Sequence, residues 1–425
     1  MKKIVWLFII VLFAVSCNNL EDAQPETRKS FVYFYGSDEN MVSVSSILDN
    51  DAIVTVGYRS KSSTDLTSSS MVVLKTDLKG KTLWRQDYPK LSGKGIAPVA
   101  DGYAVVGDSV EILVDPVTSA VTTNYYLKFF KMNKDGKIVF RYTTPSSANS
   151  FLANSVTVDG TGKVFVLGTI LRGSNDRLSI VKQFVPSGAN SFTETWSQPF
   201  DLETRSYSNG KTLKLTVGQN LIWPSSILAP LSGRAYAAFP VVKPSSTAIN
   251  SALFGENDDS FNFNANDIQE NVFGFGALGT VYTVSGGSAN ANTNFYFMRL
   301  DQRGNILAGT AKYYDNGIEV ADKSFSTVED SGQALVACKD GGYLLAGILN
   351  STPTVGNGGK DVLLIKVDAF GVVIWTKTYG GSGDEVTNTA IEMPEGGFLI
   401  CGTSIVQNFS SMFIIKTNAA GNLTD

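Results

Sequence analysis

The sequence predicts an all-β fold, a seven-bladed β-propeller of four-stranded antiparallel blades whose ring is closed by an N-terminal strand in the last blade. Three observations predict it. A hairpin phrase, clearest at Lys366–Trp375 (KVDAFGVVIW), recurs along the 425-residue chain. A second phrase, clearest at Glu395–Gly402 (EGGFLICG), belongs to the same unit. The two return at a period of about 50 residues, which is typical of blades or of a solenoid.

The hairpin phrase supplies two strands of each unit. Its other copies are Lys75–Trp84, Lys131–Phe140, Arg299–Ala308 and Lys416–Asp425. Each passes an Asp or Asn, turns on a Gly, and in most copies enters a second apolar run. We therefore expect a strand C, an Asx-x-x-Gly turn and a strand D.

The Gly-rich phrase supplies the other two strands. It is repeated at Asp340–Gly347 and, more loosely, at residues 51–57, 101–107 and 159–168. An apolar run precedes it, separated by a Gly-containing turn. Each unit thus has strands A, B, C and D in order, with a variable loop between B and C, as in a propeller blade.

Spacing sets the number of units. Trp84, Phe140 and Trp196 are 56 residues apart, and Ala308 follows after 112, so one degenerate unit is expected before Ala308. Trp375 follows after 67 residues, and 50 more remain. The predicted units are residues 37–91, 92–145, 146–205, 206–258, 259–314, 315–379 and 380–425.

The missing last strand is predicted at the other end of the chain. The seventh unit stops at Asp425, where its strand D should begin. Phe31–Glu39 resembles Ile374–Glu385, which contains strand D of the sixth unit. We therefore expect residues 31–35 to pair with the last blade and cover its exposed edge.

The N-terminus has the pattern of a signal peptide. Met1–Lys3 is basic, and Ile4–Val15 is an apolar run of 12 residues, shorter than the roughly 20 that span a bilayer. It ends in Ala14–Cys17 (AVSC), which resembles the lipobox of bacterial lipoproteins. The resemblance implies that Cys17 is diacylated and becomes the first mature residue. The alternative is an ordinary cleaved signal with a chance cysteine.

The predicted domains are a lipoprotein signal peptide (1–16), a lipidated flexible tether (17–29) and the propeller (30–425). Asn18 after the cysteine implies, by the sorting pattern of that family, the outer membrane. The acidic residues of the tether resemble the surface-export signal of Bacteroidota lipoproteins, the alternative being a plain disordered linker. We expect an outer-membrane lipid anchor, with exposure at the cell surface as one option.

The two phrases together resemble the Gly-Gly-aromatic and Lys-x-Asp-x-x-Gly-x-x-x-Trp repeats of secreted and lipid-anchored Bacteroidota propellers. The turn-and-Trp half is also similar to quinoprotein-type propellers, which include an outer-membrane assembly lipoprotein. In such propellers the indole packs between blades. The resemblance implies this role for Trp84, Phe140, Trp196 and Trp375, the alternative being a stacking surface for a ligand. The recurring lysines (Lys75, Lys131, Lys366, Lys416) are interpreted as surface residues beside the turn.

Three acidic pairs lie at similar places in three units that become adjacent once the ring closes. They are Asp38 with Glu39, Glu329 with Asp330, and Asp384 with Glu385, which begin 13 residues before Asp51, Gly342 and Gly397, respectively. One hypothesis is an acidic arc at a channel mouth that holds Ca²⁺ or faces a basic group. The alternative is that one carboxylate of each pair accepts backbone N–H groups of the preceding loop.

Composition excludes several function classes. The chain has no His, which removes Ser-His-Asp and Cys-His catalysis and His-ligated zinc. A net charge of −4 without a basic stripe gives no sign of a nucleic-acid partner. Cys338 and Cys401 lie in apolar β patterns and are interpreted as buried thiols, with a disulfide as the alternative.

We expect a non-catalytic, monomeric cell-envelope lipoprotein that binds a protein or a glycan, and we assign no cofactor beyond the calcium hypothesis. One alternative is an enzyme of the quinoprotein-dehydrogenase or glycan-cleaving type that uses the channel-mouth carboxylates. Another is an outer-membrane assembly scaffold. The Ser-, Thr-, Asn- and Gly-rich B–C loops gather on one face, where rigid scaffolds often bind ligands.

Overall fold

The structure is a computed structural model that describes residues 31–36, 39–60, 68–114, 118–145, 149–172, 176–200, 206–209, 212–228, 234–284, 292–352 and 355–423. These residues form β-strands joined by turns and loops, and no α-helix occurs among them. In this part of the chain there is accordingly no helix that could cross a membrane.

The described strands form seven antiparallel sheets, one for each blade. Blade 1 contains β2 (Asn40–Asp49), β3 (Ala52–Ser60), β4 (Ser70–Asp77) and β5 (Thr82–Pro89). Blade 2 contains β6 (Ser92–Val99), β7 (Gly102–Val114), β8 (Val121–Asn133) and β9 (Ile138–Thr143). Blade 3 contains β10 (Ser150–Val158), β11 (Val164–Arg172), β12 (Asp176–Gly188) and β13 (Ser191–Phe200). Blade 4 contains β14 (Ser206–Asn209), β15 (Lys214–Leu215), β16 (Leu221–Ile222), β17 (Ser225–Leu228), β18 (Ala235–Val242) and β19 (Ile249–Phe254).

The remaining blades complete the ring. Blade 5 contains β20 (Phe261–Asn271), β21 (Gly274–Thr283), β22 (Thr293–Leu300), β23 (Lys312–Asp315) and β24 (Ile318–Val320). Blade 6 contains β25 (Asp330–Ala337), β26 (Tyr343–Thr352), β27 (Val355–Val367) and β28 (Val373–Tyr379). Blade 7 contains β29 (Asp384–Glu392), β30 (Phe398–Val406), β31 (Phe409–Lys416) and, from the other end of the chain, β1 (Phe31–Tyr35).

The predicted seven-bladed propeller is confirmed, and so is its closure. Strand β1 pairs antiparallel with β31, from Phe31 opposite Lys416 to Tyr35 opposite Met412. In six blades the first strand lies innermost and lines a central channel of about 650 Å³, to which blade 4 contributes Thr212, Leu213 and Lys214. The N-terminal strand therefore completes the blade that the C-terminal segment leaves one strand short.

Blades 4 and 5 depart from four strands. Blade 4 has six short strands, and blade 5 has a fifth strand, β24. Because β24 pairs with β23 across the tight turn at Asn316–Gly317, residues 315–320 belong to blade 5. The predicted boundary at residue 315 is therefore wrong, and blade 6 begins at Asp330.

The hairpin phrase owes its Asx and Gly to the C–D turn. Asp77 Oδ1 accepts hydrogen bonds from the N–H groups of Lys79 and Lys81, at 2.9 and 2.8 Å. Gly80 adopts φ 85°, which favours glycine over residues with a Cβ. The same arrangement occurs at Asn133, Asp301, Asp368 and Asn418.

The recurring lysines are not simple surface residues, which corrects the interpretation from sequence. Lys131 and Lys366 are each only 5% exposed. Their ammonium groups pair with the carboxylates of Asp101 (2.9 Å) and Asp340 (2.7 Å), at the start of the Gly-rich phrase. Equivalent pairs join Lys75 to Asp49 and Lys416 to Glu395. The two phrases are thus linked inside a blade by an ion pair between the A–B turn and strand C.

Candidate functional site

Tyrosine hydroxyls connect several neighbouring blades. Tyr35 in β1 donates to the carbonyl of Gly80, in the C–D turn of blade 1, at 2.6 Å. The Tyr314 hydroxyl of blade 5 donates to the Gly371 carbonyl of blade 6, also at 2.6 Å. A third bond joins Tyr88 of blade 1 to the Gly136 carbonyl of blade 2. In each case a tyrosine on an outer strand fixes the turn of the next blade.

Between blades 6 and 7 the described residues form no such bond. Tyr379 is the last residue of β28, a position similar to that of Tyr88 near the end of β5. The C–D turn of blade 7 also packs against blade 6, since a side chain added at Gly421 would lie 2.7 Å from the Trp375 ring. The Tyr379 hydroxyl is nevertheless buried and has no hydrogen-bond partner among the described residues. Burial raises its pKa to about 12. The hydroxyl therefore stays protonated at neutral pH and has an unused hydrogen-bonding capacity.

A groove of about 620 Å³ opens at this same seam. Its apolar wall comes mainly from blade 7 and consists of Val32, Phe34, Phe409, Phe413, Ile415 and Leu423. Its polar lining includes Asn357, Thr378, Ser382, Glu385, Ser404 and Ser411. Phe34 is 58% exposed. A pocket of this size with an apolar wall and a few polar groups is typical of ligand sites.

Two carboxyl groups flank one glycine behind the groove. Glu385 accepts hydrogen bonds from Ser404 Oγ (2.7 Å) and from the N–H of Gly381 (3.0 Å). Asp361 Oδ1 has no hydrogen-bond partner in the described part of the chain, and the residue is fully buried. A side chain at Gly380 would clash with Asp361 Oδ1 and lie 2.7 Å from Glu385 Oε2. Glycine is therefore required here for lack of space, not for an unusual φ.

The structure brings the predicted acidic residues of blades 6 and 7 to equivalent places. Asp330 is 2% exposed and accepts the N–H groups of Phe295 (3.0 Å) and Asn316 (2.8 Å). Burial raises its pKa well above the usual range. Asp384 accepts the N–H of Lys360 at 3.0 Å. These contacts have the form of the alternative stated above, in which carboxylates hold loop backbone.

The acidic residues of blade 1 occupy a different position from the one that counting suggests. The bulge in the first strand marks the register, and it follows Ser43 in β2, Gly332 in β25 and Thr387 in β29. Counted from it, Asn40 and Met41 correspond to the acidic pairs, and Glu39 lies one residue earlier. The count from the turn is wrong because the A–B turn of blade 1 is shorter. Asp38 lies outside the described residues.

No group of three or more acidic, His or Cys side chains suited to a metal ion occurs in the described part of the chain. Glu329 contacts Asn350 Nδ2 at 3.4 Å, and Glu39 pairs with Arg59 and Arg85. The calcium hypothesis therefore remains a prediction that gains no ligand set from these residues.

The predicted aromatic residues lie between blades. Trp84 packs against the cluster shared by blades 1 and 2, Phe140 against that of blades 2 and 3, and Trp196 against that of blades 3 and 4. Trp375 packs against the cluster of blades 6 and 7. Cys338 and Cys401 are free and buried, and burial raises the thiol pKa to about 12 and 11. Cys17 lies outside the described residues.

Sequence reasoning missed the groove itself. The sequence predicts strands at Phe34 and Tyr379 but gives no sign that they line a groove. The available signal was that Val32 and Phe34 leave the closing strand apolar on both faces, whereas β5 places Arg85 and Asp87 at the corresponding positions.

Comparisons with known proteins bear on the fold alone. The sequence matches no family model and no curated protein sequence. A protein of unknown function from Dyadobacter fermentans has a similar structure, with 12% identity, a TM-score of 0.51, and coverage of 92% of this chain and 98% of that one. Trypanosoma rangeli sialidase, in complex with the inhibitor DANA, has 13% identity and a TM-score of 0.44 over 79% of this chain. This chain covers 56% of that sialidase, a little over half its length.

A subtype N10 neuraminidase-like protein of A/little yellow-shouldered bat/Guatemala/060/2010 gives 9% identity and a TM-score of 0.43, covering 91% of this chain and 99% of that one. The likeness to the Dyadobacter fermentans protein, at 12% identity, extends to the fold alone.

Proposed function

We propose that this chain is a non-catalytic, lipid-anchored propeller of the bacterial cell envelope that binds a protein partner in the groove between blades 6 and 7. The observation that carries the proposal is the groove itself. It lies at a seam that lacks the tyrosine bond, and it presents Phe34, more than half exposed, beside an unused Tyr379 hydroxyl. Partly exposed aromatic side chains in a pocket are the usual anchors of protein interfaces.

The chemistry of the wall favours a protein over a glycan. Val32, Phe34 and Phe409 offer apolar surface in the groove. Glu385 already accepts two protein hydrogen bonds. A glycan needs many donors and acceptors at the contact, whereas an apolar side chain of a partner needs a wall of this kind.

The anchor fits the same arrangement. Strand β1, which supplies Val32 and Phe34, begins 14 residues after Cys17. Lipidation of Cys17 would hold the groove-bearing blade within an extended reach of about 50 Å from the membrane. A Bacteroidota-type lipoprotein of the outer membrane, displaying the groove to envelope proteins, accounts for the lipobox, the tether and the groove together.

A glycan-cleaving reaction has less support. Such a reaction needs two carboxyl groups that both reach the substrate. Glu385 lines the groove, but Asp361, the carboxyl group on the other side of Gly380, is fully buried. Because Asp361 is buried on the far side of Gly380, the two carboxyl groups cannot both reach a molecule in the groove.

The test uses the full-length protein in cells, with a photo-crosslinking amino acid at Phe34 or, as the control, at Leu83. Leu83 is an equally apolar, 53% exposed residue on the outer strand of blade 1, away from the groove. We expect a discrete protein adduct from position 34 only, and its loss when Phe409 is changed to Ser. Identical adducts from both positions would refute the groove as the binding site. An adduct with an outer-membrane barrel would specify the assembly-scaffold role.

Lipid anchoring to the membrane is tested separately with the variant Cys17→Ala. We expect the wild type in the membrane fraction and the variant in the soluble fraction. A variant that stays in the membrane fraction would contradict lipid anchoring without bearing on the groove.

A further inference from the structure

The innermost strands place one residue of each blade at the same level of the central channel. In six blades the level is fixed by a bulge in the first strand, and the third residue after the bulge lines the channel. In blade 4, residues 210 and 211 lie outside the described residues, and the register is fixed instead by a hydrogen bond from Leu213 N–H to Ser155 Oγ (3.1 Å). The same bond joins Ser46 N–H to Thr389 Oγ1. Lys214 is therefore the blade 4 member of this level.

This level is divided into a polar and an apolar half. Blades 3, 4 and 5 contribute Thr157, Lys214 and Gln269. Blades 6, 7, 1 and 2 contribute Val336, Ile391, Ile47 and Ala97. One cation flanked by a hydroxyl and an amide thus faces a wall of aliphatic side chains across a channel of about 650 Å³.

The Lys214 ammonium forms no salt bridge with any described residue. Asp267 is the acidic group that influences it, but the Asp267 oxygens are occupied by the Thr212 hydroxyl and by the N–H groups of Ile268 and Leu335. Burial lowers the pKa of Lys214, and Asp267 partly opposes this. An anion in the channel would stabilise the ammonium.

The other lysine of the channel is used differently. Lys339 Nζ donates to the carbonyls of Met393 (3.0 Å) and Pro394 (2.8 Å), and its N–H donates to Glu392 (2.8 Å). Lys339 therefore fixes a turn of blade 7, while the Lys214 ammonium, in the same cavity, forms no ion pair with a described residue. This difference makes Lys339 a control for charge in the channel.

We infer that the channel binds a small organic carboxylate with an aliphatic body. Its carboxylate pairs with Lys214 and accepts hydrogen bonds from Thr157 and Gln269, since hydrogen bonds between ionised partners are the strong ones. Its hydrocarbon part packs against Ile47, Val336 and Ile391. Lys214 is the one cation of this level, which suits a ligand with a single negative charge. The seven side chains of the level include no aromatic ring, which favours an aliphatic body over a ring that stacks.

Calorimetry on the full-length protein in a nonionic detergent tests this inference, with hexanoate as the probe. We expect hexanoate to bind, Lys214→Met to weaken it at least about tenfold, and Lys339→Met to leave it unchanged. We expect the neutral analogue hexanamide to bind far more weakly.

A second variant tests the apolar half independently. Ile391→Asn should weaken hexanoate while leaving the weaker binding of acetate, which lacks the aliphatic body, unaffected. Absence of hexanoate binding to the wild type, equal binding by the Lys214 variant, or displacement by an equal concentration of inorganic phosphate would each overturn the inference.

Discussion

Two seams of the ring start from the same motif and end in opposite states. The seam between blades 7 and 1 is closed by Tyr35, whose hydroxyl reaches the Gly80 carbonyl at 2.6 Å. The seam between blades 6 and 7 has the corresponding Tyr379, whose hydroxyl reaches nothing in the described structure. The repeat therefore supplies the tyrosine, and other residues decide whether the seam closes.

The residues that determine whether a seam is closed can be identified from strand register. Phe34 lies opposite Phe413 in blade 7 as Asp87 lies opposite Val72 in blade 1. By the same register, Val32 corresponds to Arg85. Blade 1 fills this face with ion pairs, whereas blade 7 leaves it apolar and open. Ion pairs cover one blade face, and the equivalent apolar face becomes a groove.

The largest effect is expected at the glycine beneath the open seam. Gly380→Val would press a side chain onto Asp361 Oδ1 and Glu385, and we expect a loss of about 3 kcal/mol in the free energy of unfolding, because both carboxyl groups are buried. Denaturant unfolding measures it. Gly381→Val is the control, since a side chain there meets no atom within 4 Å. Equal losses for the two variants would contradict the packing described for Gly380.

At the seam between blades 2 and 3, one buried carboxyl group should make the free energy of unfolding depend on pH. Asp108 of blade 2 accepts the N–H of Ala153 of blade 3 and is 5% exposed. Burial raises its pKa to about 6, against the opposing effect of Lys94. The folded state thus binds the proton more tightly than the unfolded state, so this group's contribution to stability is full below about pH 4 and is lost as the pH rises through 6.

Asp108→Asn should remove that dependence, because the amide oxygen can still accept the Ala153 N–H. We expect the variant to gain roughly 2 kcal/mol relative to the wild type between pH 4 and pH 7. Unfolding free energies at four or five pH values measure it. A difference that stays constant with pH would show that Asp108 has the same pKa in both states.

The tyrosines provide the direct comparison of the two seams. Tyr35→Phe removes a made hydrogen bond and should cost about 1 kcal/mol. Tyr379→Phe removes a buried hydroxyl without a partner and should leave stability unchanged or slightly increase it. Parallel denaturant titrations of the two variants measure the contrast. Equal losses would mean that Tyr379 has a partner outside the described residues.

The architecture was predictable because the repeat records local requirements. Asp77 and Gly80 are needed by the turn, and the pairing of Phe31–Tyr35 with the last blade follows from where the chain stops and what it resembles. The fifth strand of blade 5 was not predictable in this way, since Ile318–Val320 is short and belongs to no phrase.

The groove and the channel level depend on relations between blades that the sequence does not display. Lys214 lies in the unit where the repeat is weakest, so only the bond between Leu213 and Ser155 places it in the ring. For the acidic residue of blade 1, the sequence pattern predicts a position that the structure does not show. Glu39 has the expected residue type at the expected count, but a shorter turn shifts it away from the position of Glu385.

The smallest expected effect lies in the ion pairs that cover the closed face of blade 1. Glu39 accepts from Arg59 at 2.6 Å and from Arg85 at 3.2 Å, and its side chain is 38% exposed. Glu39→Gln should cost about 0.5 kcal/mol at low salt, and the cost should shrink toward zero near 1 M salt because exposed charges are screened. Glu329→Gln, at an acidic residue without an arginine partner among the described residues, should show no salt-dependent change. A cost at Glu39 that does not change with salt would mean that its hydrogen bonds, and not its charge, stabilise this face. The difference between the faces of blades 1 and 7 would then lie in packing and not in electrostatics.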